Sequence, residues 1–152
     1  MRIRSLALGL ALALASAGAA QAADGSIGQV KTRKGDVFVL HANQTQAVPL
    51  NVGDHVSQSD TVTTGKLASV GITFTDNSMM SLGPNSKLVL KQYSFDPTTR
   101  AGVFTTALSR GTLAAKSGQI VQQTPEAMKI ETPTAQLGVK GTEFVVHVDG
   151  EG

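Results

Sequence analysis

The chain has 152 residues, with 13 basic and 11 acidic side chains, and it contains neither cysteine nor tryptophan. The missing cysteines exclude disulfides, thiolate metal sites and a lipid-anchored N-terminal cysteine. The net charge of +2 is that of Arg2 and Arg4; without this pair the chain is neutral and lacks the basic excess from which phosphate affinity arises, so no nucleic-acid partner is expected.

The first element is a leader. Arg2 and Arg4 precede an apolar run from Leu6 to Ala17, broken only by Gly9 and Ser16, and Ala20-Gln21-Ala22 forms a small-x-small cleavage site. The run is short for a spanning helix, which needs roughly 17–25 residues. Residues 1–22 are therefore predicted to be a signal peptide cleaved near Ala22/Ala23. The mature chain is then periplasmic or secreted and does not span the membrane. Residues 23–152 amount to one domain, large enough for its own core of Val, Leu, Ile and a few Phe.

Strand signals follow at short, regular intervals. Gly28 to Lys31 reads as a short strand, and the basic run Lys31-Thr32-Arg33-Lys34 as the decoration of a turn before Gly35. Val37 to Leu40 is apolar. Ala47 to Leu50 leads into a turn, Asn51-Val52-Gly53-Asp54, made of residues that tolerate positive φ. Asp60 to Thr64 ends at Gly65. Ala68, Val70, Ile72 and Phe74 alternate with small or polar residues in a period of two. Asp76-Asn77 predicts a two-residue hairpin, with Ser78 to Leu82 as its return strand and Gly83-Pro84-Asn85 as the next turn. Leu88 to Leu90, Tyr93 to Phe95, Val103 to Leu108 and Thr112 to Ala115 read as four further strands. Arg110-Gly111 is the turn between the last two, and Gln119 to Gln122 extends the last one. The one helical turn predicted is Pro125 to Met128, capped by Thr124.

The stretch from Met128 to Val146 is the most patterned. Ile130, Thr132 and Thr134 alternate, and Pro133 marks a strand edge or bend because it cannot donate to a ladder. Ala135, Leu137 and Val139 form a second alternating set, with Gly138 and Gly141 as bulge or close-approach positions. Phe144 to Val148 is a β-branched strand with Phe144 as a core residue. Ala68 to Ile72 and Ala135 to Val139 share one pattern, a faint internal echo. The expected fold is all-β: a single compact domain of many short strands in two packed sheets, a sandwich or roll with solenoid-like stacking as a variant, and at most one short helical turn.

Chemistry is sparse. His41, His55 and His147 lack metal-ligand spacing. Asp54, Asp60 and Asp76 stand at turns, where a short carboxylate bonds local backbone, with calcium binding and glycoside hydrolysis as lesser alternatives. No G-x-S-x-G elbow occurs, and Gly138 to Thr142 lacks the order of a phosphate loop. No catalytic, cofactor-binding or metal residue is assigned, and no enzyme activity or cofactor is expected. Val145 to Val148 is either a buried central strand or an edge to which a partner could add a strand.

Three stretches carry a family resemblance: Leu50-Asn51-Val52-Gly53-Asp54 with Asp60 to Gly65; Phe74-Thr75-Asp76-Asn77-Ser78 with Leu82 to Ser86; and Gly118 to Ile120 with Pro125 to Phe144, including Thr132, Pro133, Gly138, Gly141, Thr142 and Phe144. Together they resemble the FecR domain, the periplasmic β-rich module named for the ferric-citrate sensor. Asn77 stands where glycine is usual, Lys140 where Arg is common, and Gln136 where a smaller residue is. The naming sensors carry a cytoplasmic sigma-factor-binding segment and a membrane span before this domain. Here the domain is expected to follow the leader directly, with no module after Gly152. The resemblance implies an exported β-domain with a binding or signalling role. The expected partner is an envelope protein or a surface glycan. The alternative is an accessory part in iron-responsive signalling through a separate anti-sigma factor.

Overall fold

The structure, a computed structural model, describes residues 25–150. The expected leader and its cleavage site lie outside these residues. Among the described residues there are twelve strands and one helix: β1 (Ser26–Lys34), β2 (Val37–Leu40), β3 (Val48–Pro49), β4 (His55–Ser57), β5 (Thr61–Thr64), β6 (Ser69–Phe74), β7 (Met79–Leu82), β8 (Lys87–Phe95), β9 (Gly102–Lys116), α1 (Gln119–Gln123), β10 (Met128–Glu131), β11 (Gln136–Gly138) and β12 (Glu143–Val148). The all-β expectation holds. The strands form one curled sheet, antiparallel except where β10 runs parallel to β9.

The curl comes from rungs that bend at a common corner. β9 is continuous for 15 residues. Its first part, Gly102 to Arg110, pairs with β8, and Leu113 to Lys116 pairs with β7. β7 and β8 therefore lie head to tail along one side of β9, with Gly83 to Ser86 at the bend. β5 and β6 bend likewise around Gly65, β1 and β2 around Gly35, and β3 and β4 around Asn51 to Asp54. Two half-sheets result, β4-β1-β6-β7-β9-β12 and β3-β2-β5-β8-β9-β10-β11.

Side chains stitch the corner. Thr64 Oγ1 accepts from Ser86 N at 2.9 Å and donates to Gly83 O at 2.6 Å, while Ser86 Oγ accepts from Thr112 N at 3.0 Å. Such bonds satisfy backbone groups that a bent ladder would leave unpaired. Gly111 is obligatory here. Its φ is +92°, and a Cβ would lie 2.5 Å from Ser86 Cα. The Arg110-Gly111 turn expected from sequence is thus a bend inside one strand. In the same way Leu88–Leu90 and Tyr93–Phe95 are one strand, β8, with a bulge between Leu90 and Gln92. The basic run Lys31 to Lys34 is the exposed end of β1, not a turn.

Both half-sheets feed one core: Val30, Ile72, Leu82 and Leu113 from the first, Val39, Val62, Leu88, Leu108 and Ile130 from the second. Away from the corner, Phe104 meets Phe74 at 4.6 Å and Tyr93 at 4.8 Å between ring centroids, both edge-on, a favoured aromatic geometry. α1 closes this end. Residues 119–122 are helical because Ile120 and Val121 are both buried, whereas a strand would send consecutive side chains to opposite faces. The expected helical turn at 125–128 is absent. Thr124 N instead caps α1 through Ile120 O at 2.8 Å, and Met128 opens β10, drawn into the core beside Phe104.

Candidate functional site

The sequence-predicted residues separate into structural turns and one open end. Asp54 accepts from Asn51 N at 2.8 Å, and Gly53 has φ of +92° in the same turn. Asp60 is buried, accepts from Ser57 N at 2.8 Å, and lies 3.0 Å from His41 Nδ1. Gly65 is a corner residue whose N–H reaches Asp36 O at 2.9 Å. Asn77 occupies the left-handed region at φ of 68° and ends a hairpin loop one residue longer than expected, since Phe74 N bonds Ser78 O. Each of the three carboxylates serves backbone groups of its own turn. Among the described residues, no three His, Asp or Glu side chains gather to hold a metal ion.

Asp76 organises a buried network. It accepts from Ser78 N at 3.1 Å, from Ser78 Oγ, and from Tyr93 Oη at 3.3 Å. Its Oδ2 lies 3.4 Å from Ile120 N. Thr75 Oγ1 and Asp76 N also bond the Tyr93 oxygen at 2.7 and 3.0 Å. Burial pushes the Tyr93 phenol up to about 12, against the opposing pull of the Thr75 hydroxyl. This network ties β6, β8 and α1 together.

The open end is built by β10, β11 and β12. β10 pairs with Phe104 to Ala107, β12 pairs with Gly111 to Lys116, and β9 has no partner on that side between them. Thr132 to Ala135 close the β10–β11 hairpin through Thr132 N to Ala135 O at 2.8 Å, with Pro133 at the bend. A groove of 760 Å³ runs between this hairpin and β12. It is lined by Ser109, Arg110, Thr132, Pro133, Thr134, Leu137, Val146, His147, Val148 and Asp149. Two of its polar lining residues are in contact, His147 Nε2 with Asp149 at 3.1 Å, and behind them His147 Nδ1 lies 2.8 Å from Thr112 Oγ1 on β9. The order hydroxyl, imidazole, carboxylate is that of a hydrolase triad, but Asp149 is 98 % exposed, so water competes for the carboxylate that would have to hold the ring. Arg110 places a positive charge at the groove floor beside an apolar wall of Leu137, Val146 and Val148.

Among the described residues, β12 is an edge strand. Ser117 N donates to Thr142 O at 2.8 Å, and the register runs from Glu143 opposite Lys116 to Val148 opposite Gly111. Hydrogen-bonded pairs alternate along an antiparallel ladder. Phe144, Val146 and Val148 therefore turn their backbone groups toward β9, and Glu143, Val145 and His147 turn theirs outward. Phe144 is only half-buried, packing on the core from the rim, which corrects its expected place inside. Gly141 has φ of +107°, and its carbonyl accepts from Ser117 Oγ at 2.7 Å. A Cβ on Gly138 would meet nothing within 4 Å, so the close approach expected there is absent. Lys140 pairs with Glu126 at 2.8 Å across the surface.

Arg110, His147 and Asp149 were not legible as a group. Arg110 and His147 line one groove only because β12 pairs with β9, and the one local signal was a charged residue beside Gly111. Among the described residues, no helix is long and apolar enough to cross a membrane. A family model described as FecR protein matches residues 60–152, from β5 through β12, with Gly53 and Asp54 lying before the matched stretch. No curated protein and no solved structure matches the chain.

Proposed function

The chain belongs to the FecR protein family, and from that premise we propose that it is an exported, non-catalytic interaction domain that uses its open end to hold an extended segment of an envelope protein or a surface glycan. Membership suggests involvement in FecR-like signalling. The observation that carries the binding reading is the six-residue edge of β12 beside the 760 Å³ groove. Edge backbone groups give affinity to an added chain, and flanking side chains select it. Arg110 supplies donors for a carboxylate or a sugar hydroxyl, and Leu137 and Val146 supply an apolar wall.

The test is affinity capture from the organism's own envelope fraction with the tagged mature domain, compared with Arg110→Glu and Leu137→Asp, both checked by melting. A protein or glycan retained by the wild type and lost by the variants supports the reading. Identical retention, or none, removes it. Export is checked by N-terminal sequencing, with Ala23 expected first and Met1 contradicting it. The second reading, an accessory part in iron-responsive signalling beside a separate anti-sigma factor, draws on the family assignment. An unchanged iron-starvation response in a deletion strain would remove it.

A further inference from the structure

The edges of the sheet are unequal among the described residues. β3 has two residues, one of them Pro49; β4 and β11 have three each; β12 has six. Short edges and edge prolines discourage strand addition. β12 lacks both protections, and its outer face carries Val145, 69 % exposed, next to Met79, 50 % exposed.

The sequence of β12 is self-complementary when turned end for end. The outward backbone groups belong to Glu143, Val145 and His147, so an antiparallel partner must offer alternate residues in the same way. A two-fold axis at Val145 meets that condition with the same strand. Val145 then faces the second copy's Val145, and Glu143 faces the second copy's His147. On the inner face Phe144 faces the second copy's Val146. Apolar groups meet apolar groups, and a carboxylate meets an imidazole. Across the outer face this extends a row already present, because Glu143 stands opposite Lys116 and His147 opposite Thr112. A slip of two residues sets Glu143 against Val145 in one direction and against Asp149 in the other. A carboxylate set against an imidazole favours a register, and two carboxylates set against each other disfavour it.

We propose that two copies of the chain associate through β12, edge to edge and antiparallel about Val145, so that the half-sheets β4-β1-β6-β7-β9-β12 of both copies become one. The contact is isologous, as a two-fold dimer requires. The proposal rests on the reading of the open end as an interaction surface and names a second copy as its occupant.

Sedimentation equilibrium of the mature chain measures the association. Twice the chain mass is expected in the wild type, and dissociation more than about tenfold easier in Val145→Pro, which deletes an outward N–H without touching the β9–β12 ladder. The absence of native cysteine allows a register test. Val145→Cys should cross-link to itself under mild oxidation, because directly paired residues lie about 5.5 Å apart, within disulfide range. Glu143→Cys should not, because its two copies would stand about 13 Å apart along the strands. A wild type that stays monomeric, a dimer indifferent to Val145→Pro, or equal cross-linking at both positions would overturn the proposal. Envelope capture with Val145→Pro separates the two failures. If the chain is monomeric and the variant loses an envelope partner, the second copy is wrong and the surface stands; if capture is unchanged as well, both are wrong.

Discussion

Ala68 to Ile72 and Ala135 to Val139 carry one pattern and both end on a buried residue, Ile72 and Val139, but the positions before it differ. In β6, Val70 and Ile72 are 2 % exposed, and Gly71 lies between β1 and β7, where a Cβ would come 2.5 Å from Thr32 Oγ1. In β11, Leu137 is 39 % exposed and Gly138 faces open space. The difference is position in the sheet. Among the described residues, β6 has a strand on each side, whereas β11 has only β10. Period-two alternation therefore specifies a strand and its two faces, and the number of neighbouring strands decides whether those faces and edges become core or surface.

The contrast can be broken most severely at the corner. Gly111→Val meets Ser86 backbone and a positive φ at once, so overpacking and strain combine to about 3–6 kcal/mol; the expected result is a collapsed melting temperature or no folded protein. Gly138→Val, in open space, should melt within a few degrees of wild type. Ile72→Ala should cost about 2–5 kcal/mol in denaturant titration and Leu137→Ala less than about 1. Equal costs would mean that β11 is buried after all. Phe144→Ala should fall between them, below the roughly 3–5 kcal/mol expected for the fully buried Phe104→Ala.

A smaller effect sharpens the closed end. The Tyr93 phenol is raised to about 12 by burial, above its ordinary value near 10. Between these values the folded state holds a proton that the unfolded state releases, so stability falls as pH rises from about 10 to about 12 and is unaffected below that window. Melting curves of Tyr93→Phe should lose that part of the alkaline slope. A variant with the wild-type slope would show that Tyr93 ionises freely in the fold.

The β-class and most strand positions were legible because alternation and turn residues are local signals. The strand from Ala68 to Phe74 and the bend at Pro133 are examples. Where the reading failed, a local signal had two meanings. Gly111 looks the same in sequence as a turn or as a corner inside a strand, and only Ser86 packed against it distinguishes them. Ile120 and Val121 look like strand until the buried Asp76 turn receives them as a helix. The structural roles of Asp60 and Asp76 were readable as turn chemistry. The groove was not, because Arg110 and His147 lie far apart in the chain and line one groove only once β12 pairs with β9.

Residue-resolved amide exchange on residues 23–152, dilute and monomeric, tests the one-sidedness of β12 most directly. Phe144, Val146 and Val148 should be protected by β9, while Glu143, Val145 and His147 exchange nearly as fast as exposed loops. Uniform protection along β12, as strong as in β6, would contradict an open edge and with it the placing of the binding surface at this end of the roll.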